Sequence, residues 1–296
     1  MRLFFVLSLV LFSLGSFAQD SSSDSSLLKK AVVVDAFKNK QVISAQTTVI
    51  PDGLDFTMMY RFGKIGLDNR LYKDFLGFDS PANIRFSLSY GVTERLYIGV
   101  GRTKIGKTID IEGKYVFLRQ LSDNSSPLSV AIFNNTGINT EPFIDYGPNA
   151  FFSDSISPFK SMFSHRVIYT TELILSRKFN DNLSLQLSPT MVYKNLVLGL
   201  EEDHFTFVLP LSGRFQHSFG GAFLFEYAHK INNRTMSALD NSFSFGLEFD
   251  ASGQVFQIFM SNSYFIREAN IYTLDPYDFY QSPNEFVFGF NIRRTW

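Results

Sequence analysis

The stretch Ala82-Asn83-Ile84-Arg85-Phe86-Ser87-Leu88-Ser89-Tyr90 decides the fold. Ile84, Phe86, Leu88 and Tyr90 alternate with Asn83, Arg85, Ser87 and Ser89, so an extended chain turns one apolar and one polar face outward from its axis. The same period runs through Leu183, Leu185, Leu187, Met191 and Tyr193, through Phe205, Phe207, Leu209, Leu211 and Phe215, and through Phe219, Phe223, Phe225 and Tyr227. It returns in Phe243, Phe245, Leu247 and Phe249, and in Phe286, Phe288, Phe290 and Ile292. Repeated segments of about ten residues with dyad alternation are what a membrane-spanning barrel requires. A soluble β-sandwich uses shorter strands and seldom needs so many consecutive aromatics.

Composition agrees. The chain holds 34 Phe and 13 Tyr, yet its mean hydropathy is +0.01, an aromatic wealth without net apolarity that is unusual for a soluble enzyme. Beyond the N-terminal segment no apolar run reaches the roughly 18 residues of a helical span, which leaves a closed barrel as the structure able to satisfy its backbone in lipid. Net charge is −1, without the basic field that nucleic acid demands. With no cysteine there is no disulfide framework, thiolate metal site, cysteine nucleophile or acylated lipoprotein cysteine.

The N-terminus sets the compartment. Met1-Arg2, the apolar run Leu3 to Leu14, and Gly15-Ser16-Phe17-Ala18 form a signal-peptide layout, with cleavage expected after Ala18. Turn residues then delimit twelve spanning strands at 54–63, 82–92, 95–104, 107–120, 127–137, 163–179, 182–195, 203–216, 219–229, 241–251, 254–264 and 285–295. The fold class is therefore all-β, a closed antiparallel transmembrane barrel at 51–296. Residues 19–50 are expected to be periplasmic or lumenal, with a short helix or a mobile tail near Leu27 to Val34. Val42 to Ile50 alternates only loosely and is not counted as spanning, which keeps both termini on the periplasmic side. Connections alternate between short and long, as in bacterial barrels with short periplasmic turns, except at the tight Lys104-Ile105-Gly106-Lys107 hairpin.

Phe290, Ile292 and terminal Trp296 share the outward parity of the last strand. Outer-membrane barrels resemble this in ending on an aromatic that the barrel assembly machinery reads; the usual residue is Phe, so Trp296 is a mild departure.

Several phrases resemble an outer-membrane β-barrel family of unknown function from Bacteroidota-type bacteria: Tyr60-Arg61-Phe62-Gly63, Ala82-Asn83-Ile84-Arg85, Tyr90-Gly91-Val92-Thr93-Glu94-Arg95-Leu96, Gly99-Val100-Gly101-Arg102, Lys114-Tyr115, Ser261-Asn262-Ser263 and Gly289-Phe290-Asn291-Ile292. The family pattern has His where this chain has Tyr60. The resemblance implies fold and location and brings no activity with it.

Catalytic chemistry is sparse. His165, His204, His217 and His229 fall in no metal-ligand spacing, and parity puts His204 inward but His229 outward. No nucleophile elbow or triad spacing is present, so a hydrolase is a minor reading, and no cofactor, metal or nucleic-acid partner is expected. Loop 138–162 carries Phe143, Tyr146, Phe151, Phe152 and Phe159, and either folds inward, faces a partner or packs on the rim. The sharper expectation concerns charge. Centring the 104–107 hairpin between Ile105 and Gly106 pairs Gly101 with Asp110, Gly99 with Glu112 and Tyr97 with Lys114, all lumenal. Arg85 should then lie beside Gly101, with Arg61 next to it, each arginine reaching over a glycine to a carboxylate two strands away. The expected cluster is Arg61, Arg85, Asp110, Glu112 and Lys114, with Gly99 and Gly101 as close-approach positions. It is either a brace that closes the barrel or a constriction that selects ions. The functional expectation is a narrow pore for small solutes in outer-membrane lipid; the alternative is a plugged barrel acting as an anchor or as a subunit with a surface protein partner.

Overall fold

The structure is a computed structural model that describes residues 31–66, 75–79, 81–142, 147, 151, 158–197, 203–217, 220–231, 241–273 and 285–296. These belong almost entirely to the compact unit Val32–Trp296. The signal segment, the first residues of the expected 27–34 helix and most of loop 138–162 lie outside them; Val33, which is described, forms a β-bridge with Leu121.

The strands are β1 (Leu54–Gly66), β2 (Asn83–Thr93), β3 (Leu96–Thr103), β4 (Thr108–Leu118), β5 (Ser129–Ile138), β6 (Val167–Lys178), β7 (Leu183–Leu187), β8 (Thr190–Lys194), β9 (Phe205–Gln216), β10 (Gly221–Lys230), β11 (Ser242–Ala251), β12 (Gln254–Ser261) and β13 (Glu285–Thr295). All pairings are antiparallel, and the β1–β13 and β9–β10 ladders close the ring. β7 and β8 both sit between β6 and β9, so they are halves of one stave and the barrel has twelve. The break is Ser188-Pro189, where proline has no N–H to give the ladder. The Pro189 carbonyl still accepts from the Leu173 amide at 3.0 Å, and the Ser188 amide donates to the Pro210 carbonyl at 2.9 Å, so the seam stays bonded.

Dyad alternation becomes two faces. On β2, Phe86, Leu88 and Tyr90 are about half exposed, whereas Asn83, Arg85, Ser87 and Ser89 are buried. The exposed apolar band continues through Val100, Ile111, Phe207, Phe223, Phe245 and Ile258, and it is the surface a bilayer covers. Cross-strand aromatics knit it, as where Tyr60 stacks on Phe290 with ring centroids 5.1 Å apart.

Two segments fill the interior. Residues 36–48, apart from the exposed Lys38, are buried inside the ring. They do not span as a strand; a small hairpin forms, with the Thr47 amide donating to the Lys40 carbonyl at 2.8 Å and the Val42 amide to the Ala45 carbonyl at 2.9 Å. The second segment corrects an expectation. The strand expected at 254–264 ends at Ser261, and the chain then turns inward as Tyr264 to Tyr272, including the short helix α1 (Glu268–Thr273). Phe265, Ala269, Ile271 and Tyr272 pack with Val192, Val208 and Ala228 of the wall, an apolar contact that polar-inward alternation does not foretell.

Four short turns, the longer β4–β5 connection, Leu54 and Trp296 lie at one rim, called the turn end, where the Trp296 amide donates to the Leu54 carbonyl at 2.9 Å. The long connections and the 104–107 hairpin lie at the loop end.

Candidate functional site

The candidate site is the lumen. Gly101 pairs with Asp110, Gly99 with Glu112 and Tyr97 with Lys114, the register the hairpin implies. Asp110, Glu112, Lys114, Arg85 and Arg61 are all buried and lumenal. Arg85 donates to Asp110 at 2.6 Å and to Glu112 at 2.9 Å, crossing β3 to do so. A Cβ at Gly101 would collide with the Arg85 guanidinium and the Asp110 carboxylate, and one at Gly99 would press on Ser89 and Glu112, so both glycines are the space through which this pairing passes.

Two parts of the expected arrangement differ. Arg85 pairs in register with Thr103, not Gly101, and Arg61 lies opposite Asn83 while Met59 faces Arg85. Closing a barrel staggers neighbouring strands, and neither a bulged turn such as that at Gly91/Thr93 nor a long connection such as β1–β2 reveals the offset. Arg61 therefore leaves the cluster. It lies over the Phe259 ring at 4.0 Å and donates to Asn291 at 3.3 Å and to Ser44 at 3.1 Å. Lys114 makes no direct ion pair with the carboxylates; its ammonium lies 3.1 Å from the Lys40 carbonyl and 4.8 Å from the Tyr97 ring centroid.

The cluster instead recruits from both inserted segments. Arg267, just before α1, reaches Asp110 at 3.6 Å, and Lys40 reaches Glu112 at 3.6 Å and Asp55 at 3.2 Å. Asn135 donates to Asp110 at 3.0 Å, and Arg293 pairs with Asp55. The arrangement is a buried web in which wall, plug and insert share one set of carboxylates. Sequence reasoning missed Lys40 and Arg267 because both lie outside spanning strands, where alternation carries no signal.

The tip of the hairpin is gripped through its backbone, while Asn39 bonds Glu248 and Ala36, Phe37, Val42 and Ile43 pack with Leu224 and Phe259. Glu226 of β10 places one carboxylate oxygen 2.7, 2.8 and 2.8 Å from the amides of Ile43, Ser44 and Ala45. Asn291 donates to the Ile43 carbonyl at 2.9 Å, and Gln257 and Gln186 donate to the carbonyls of Val42 and Gln46. Gln46 ties the plug to α1 by donating to Glu268 at 2.9 Å. Facing these contacts, Glu172 of β6 is fully buried, and neither of its oxygens has a hydrogen-bond partner among the described residues. At the turn end a vestibule of about 510 Å³ remains, lined by Asp35, Lys38, Lys178, Asp181, Arg214 and Asp250 among others. Burial pushes the Asp35 carboxyl above its ordinary value, against the pull of Arg119.

At the terminus, Phe290 lies on the lipid face against Tyr60, and Trp296 is exposed with the Arg294 guanidinium 5.1 Å from its ring. His204 is exposed at the loop-end rim, its ring nitrogen 2.7 Å from the Lys194 carbonyl.

A lipid-facing apolar band around a polar, filled lumen is the arrangement of a membrane barrel, and the comparison with protein families agrees. The model described as "Membrane bound beta barrel domain (DUF5777)" matches residues 37–296. The chain belongs to this membrane-bound β-barrel family. The match begins inside the plug, so the family's domain includes the lumenal hairpin as well as the wall. No curated protein matches the chain. Among solved structures, the NanC porin is similar over 82% of this chain and 100% of its own, at 11% identity and a TM-score of 0.50, a likeness of fold. The KdgM porin is similar over 82% and 99% at 10% identity and a TM-score of 0.48, and a Rh. blastica porin variant over 72% and 55% at 12% identity and 0.32.

Proposed function

We propose that this membrane barrel is a narrow outer-membrane channel for small solutes whose resting state is closed by its own residues 36–48. The observation that carries the reading is the chemistry of the plug's seat. Barrel and plug meet through apolar packing of Ala36, Phe37, Val42 and Ile43 with Leu224 and Phe259 and through many hydrogen bonds, such as those of Glu226 and Asn291, and neutral hydrogen bonds of the Asn291 kind exchange for water at small net cost. A lumen meant to stay shut needs no polar wall, because apolar packing closes it more cheaply. The fold shared with the NanC porin supports the same reading, and the vestibule at the turn end is the mouth from which a solute or the withdrawn plug would pass.

In this reading the turn end, with Trp296, faces the periplasm, the loop end faces outward, and the signal segment directs export. Phe290, Ile292 and Trp296 serve as the signal to the assembly machinery. The second reading, a permanently plugged anchor or surface-complex subunit, is favoured by the web around Asp110 and Glu112, which fastens the plug to the wall by buried charge. Planar-bilayer recording separates the two. The channel reading predicts discrete conductance steps of low open probability from pure, folded protein; persistent silence from the folded protein and from a Glu226→Gln variant would leave the anchor reading.

A further inference from the structure

The seat of the plug has a chemical pattern of its own. Of the seven residues 40–46, four have their carbonyls covered by a side-chain donor from the wall: Lys114 on Lys40, Gln257 on Val42, Asn291 on Ile43 and Gln186 on Gln46. Three consecutive amides, those of Ile43, Ser44 and Ala45, converge on the single carboxylate of Glu226. These seven bonds engage main-chain atoms, and they come from β4, β7, β10, β12 and β13, that is, from around the ring. The hairpin's side chains are held as well: Ser44 by Arg61, Gln46 by Tyr97 and Glu268, Lys40 by Ser89, Asp55 and Glu112, and Val42 and Ile43 in an apolar cluster with Leu224 and Phe259.

A wall that reads three amides and four carbonyls from around the ring is built to hold a peptide main chain, and its contacts to Lys40, Gln46, Val42 and Ile43 add a preference for sequence. A backbone turn presenting three successive N–H groups to a carboxylate and carbonyls on the other side satisfies the main-chain part of the seat. A saccharide has hydroxyls that donate and accept, but no main chain that sets successive N–H donors and carbonyl acceptors at peptide spacing. Resting on the channel reading above, we propose that the lumen of this barrel is a binding site for short peptides, of which the plug hairpin 40–46 is the resident occupant, and that an incoming peptide competes for Glu226, Gln257, Asn291 and Gln186. The unpartnered carboxylate of Glu172 extends the site along the same wall and would take a further peptide N–H or a terminal ammonium.

The test uses the full chain, which lacks cysteine, with Ser44→Cys as a single reporter refolded into lipid vesicles. Labelling of the buried thiol by a membrane-impermeant maleimide measures plug displacement. Mixed-sequence pentapeptide amides are expected to accelerate labelling about tenfold and saturably, since displacing charge-assisted hydrogen bonds is of that order. The same peptides N-methylated along the backbone, and a neutral oligosaccharide of similar size, should not. Adding Glu226→Gln should raise the basal labelling rate about tenfold and flatten the peptide response. Equal acceleration by plain and N-methylated peptides, acceleration by the saccharide alone, or no response to any peptide overturns the proposal; should Glu226→Gln fail to fold, the single-cysteine chain decides alone. Failure here is distinguishable from failure of the channel: conductance opened by the saccharide keeps a pore and removes the peptide, while peptide-driven labelling without conductance keeps the site and removes the pore.

Discussion

Two sides of the same lumen hold the plug by different means. On the β2–β4 side, Arg85, Asp110 and Glu112 form a charge web to which Lys40 and Arg267 are added. On the β10–β13 side, Glu226, Gln257 and Asn291 hold only main-chain atoms of the hairpin tip. Buried ion pairs are costly to break on one side only, because the partner left behind is an uncompensated charge. Amide-to-carboxylate bonds are charge-assisted, yet each leaves behind a main-chain group that another amide can satisfy. The difference teaches that the web fixes the wall and one end of the plug, while in the channel reading the far side is where release would begin.

The comparison breaks first at Arg85. Arg85→Ala leaves Asp110 and Glu112 buried without their shared cation and is expected to lower stability by about 3–5 kcal/mol, read as a urea unfolding midpoint in vesicles. A shift under about 1 kcal/mol would mean that the web is not a brace. Gly101→Val sharpens the geometry: its side chain enters the path of the Arg85 guanidinium and should cost about 1–3 kcal/mol, whereas Gly253→Ser at the β11–β12 turn, where a Cβ meets nothing within 4 Å, costs only the strain of its positive φ. The charge pair gives an intermediate case. Asp110→Asn with Glu112→Gln should reduce the midpoint and leave ion selectivity unchanged; altered selectivity at constant stability would make the cluster a constriction. The smallest effect belongs to Glu172→Gln, which replaces a buried carboxyl that no donor satisfies and should be neutral or stabilising by up to about 1 kcal/mol.

The wall was legible because lipid outside and polar contacts inside impose a period of two on every strand, and the strand positions follow from it to within a few residues. Asp110, Glu112 and Lys114 could be placed because one tight hairpin fixes their register against β3. Arg61 and Arg85 were placed on the correct face but at the wrong offset, since stagger accumulates across a bulge and a long loop. What fills the lumen was read only in part: residues 19–50 were expected to be periplasmic or lumenal and 36–48 lie inside the ring, whereas the insert at 264–273 was not foreseen. Residues 36–48 and 264–273 are irregular backbone satisfied by wall side chains far away in sequence, so neither periodicity nor turn chemistry marks them. Apolar inward residues break the polar parity where the lumen is filled: Phe259 packs with Phe37, Val42 and Ile43 of the plug, and Tyr97 and Phe133 with Val116, Ala131 and Ile174 of the wall and with Ile50.

The central claim is that the channel is closed by a plug able to leave. Thr48 and Ser176 of β6 have hydroxyls 2.8 Å apart, so Thr48→Cys with Ser176→Cys allows the plug to be tethered to the wall by a disulfide in a chain with no other cysteine. Planar-bilayer recording of this variant is expected to show discrete openings under reducing conditions, silence after oxidation, and recovery when the disulfide is reduced again. Identical conductance in both states would contradict the account, because solute would then pass without the plug moving.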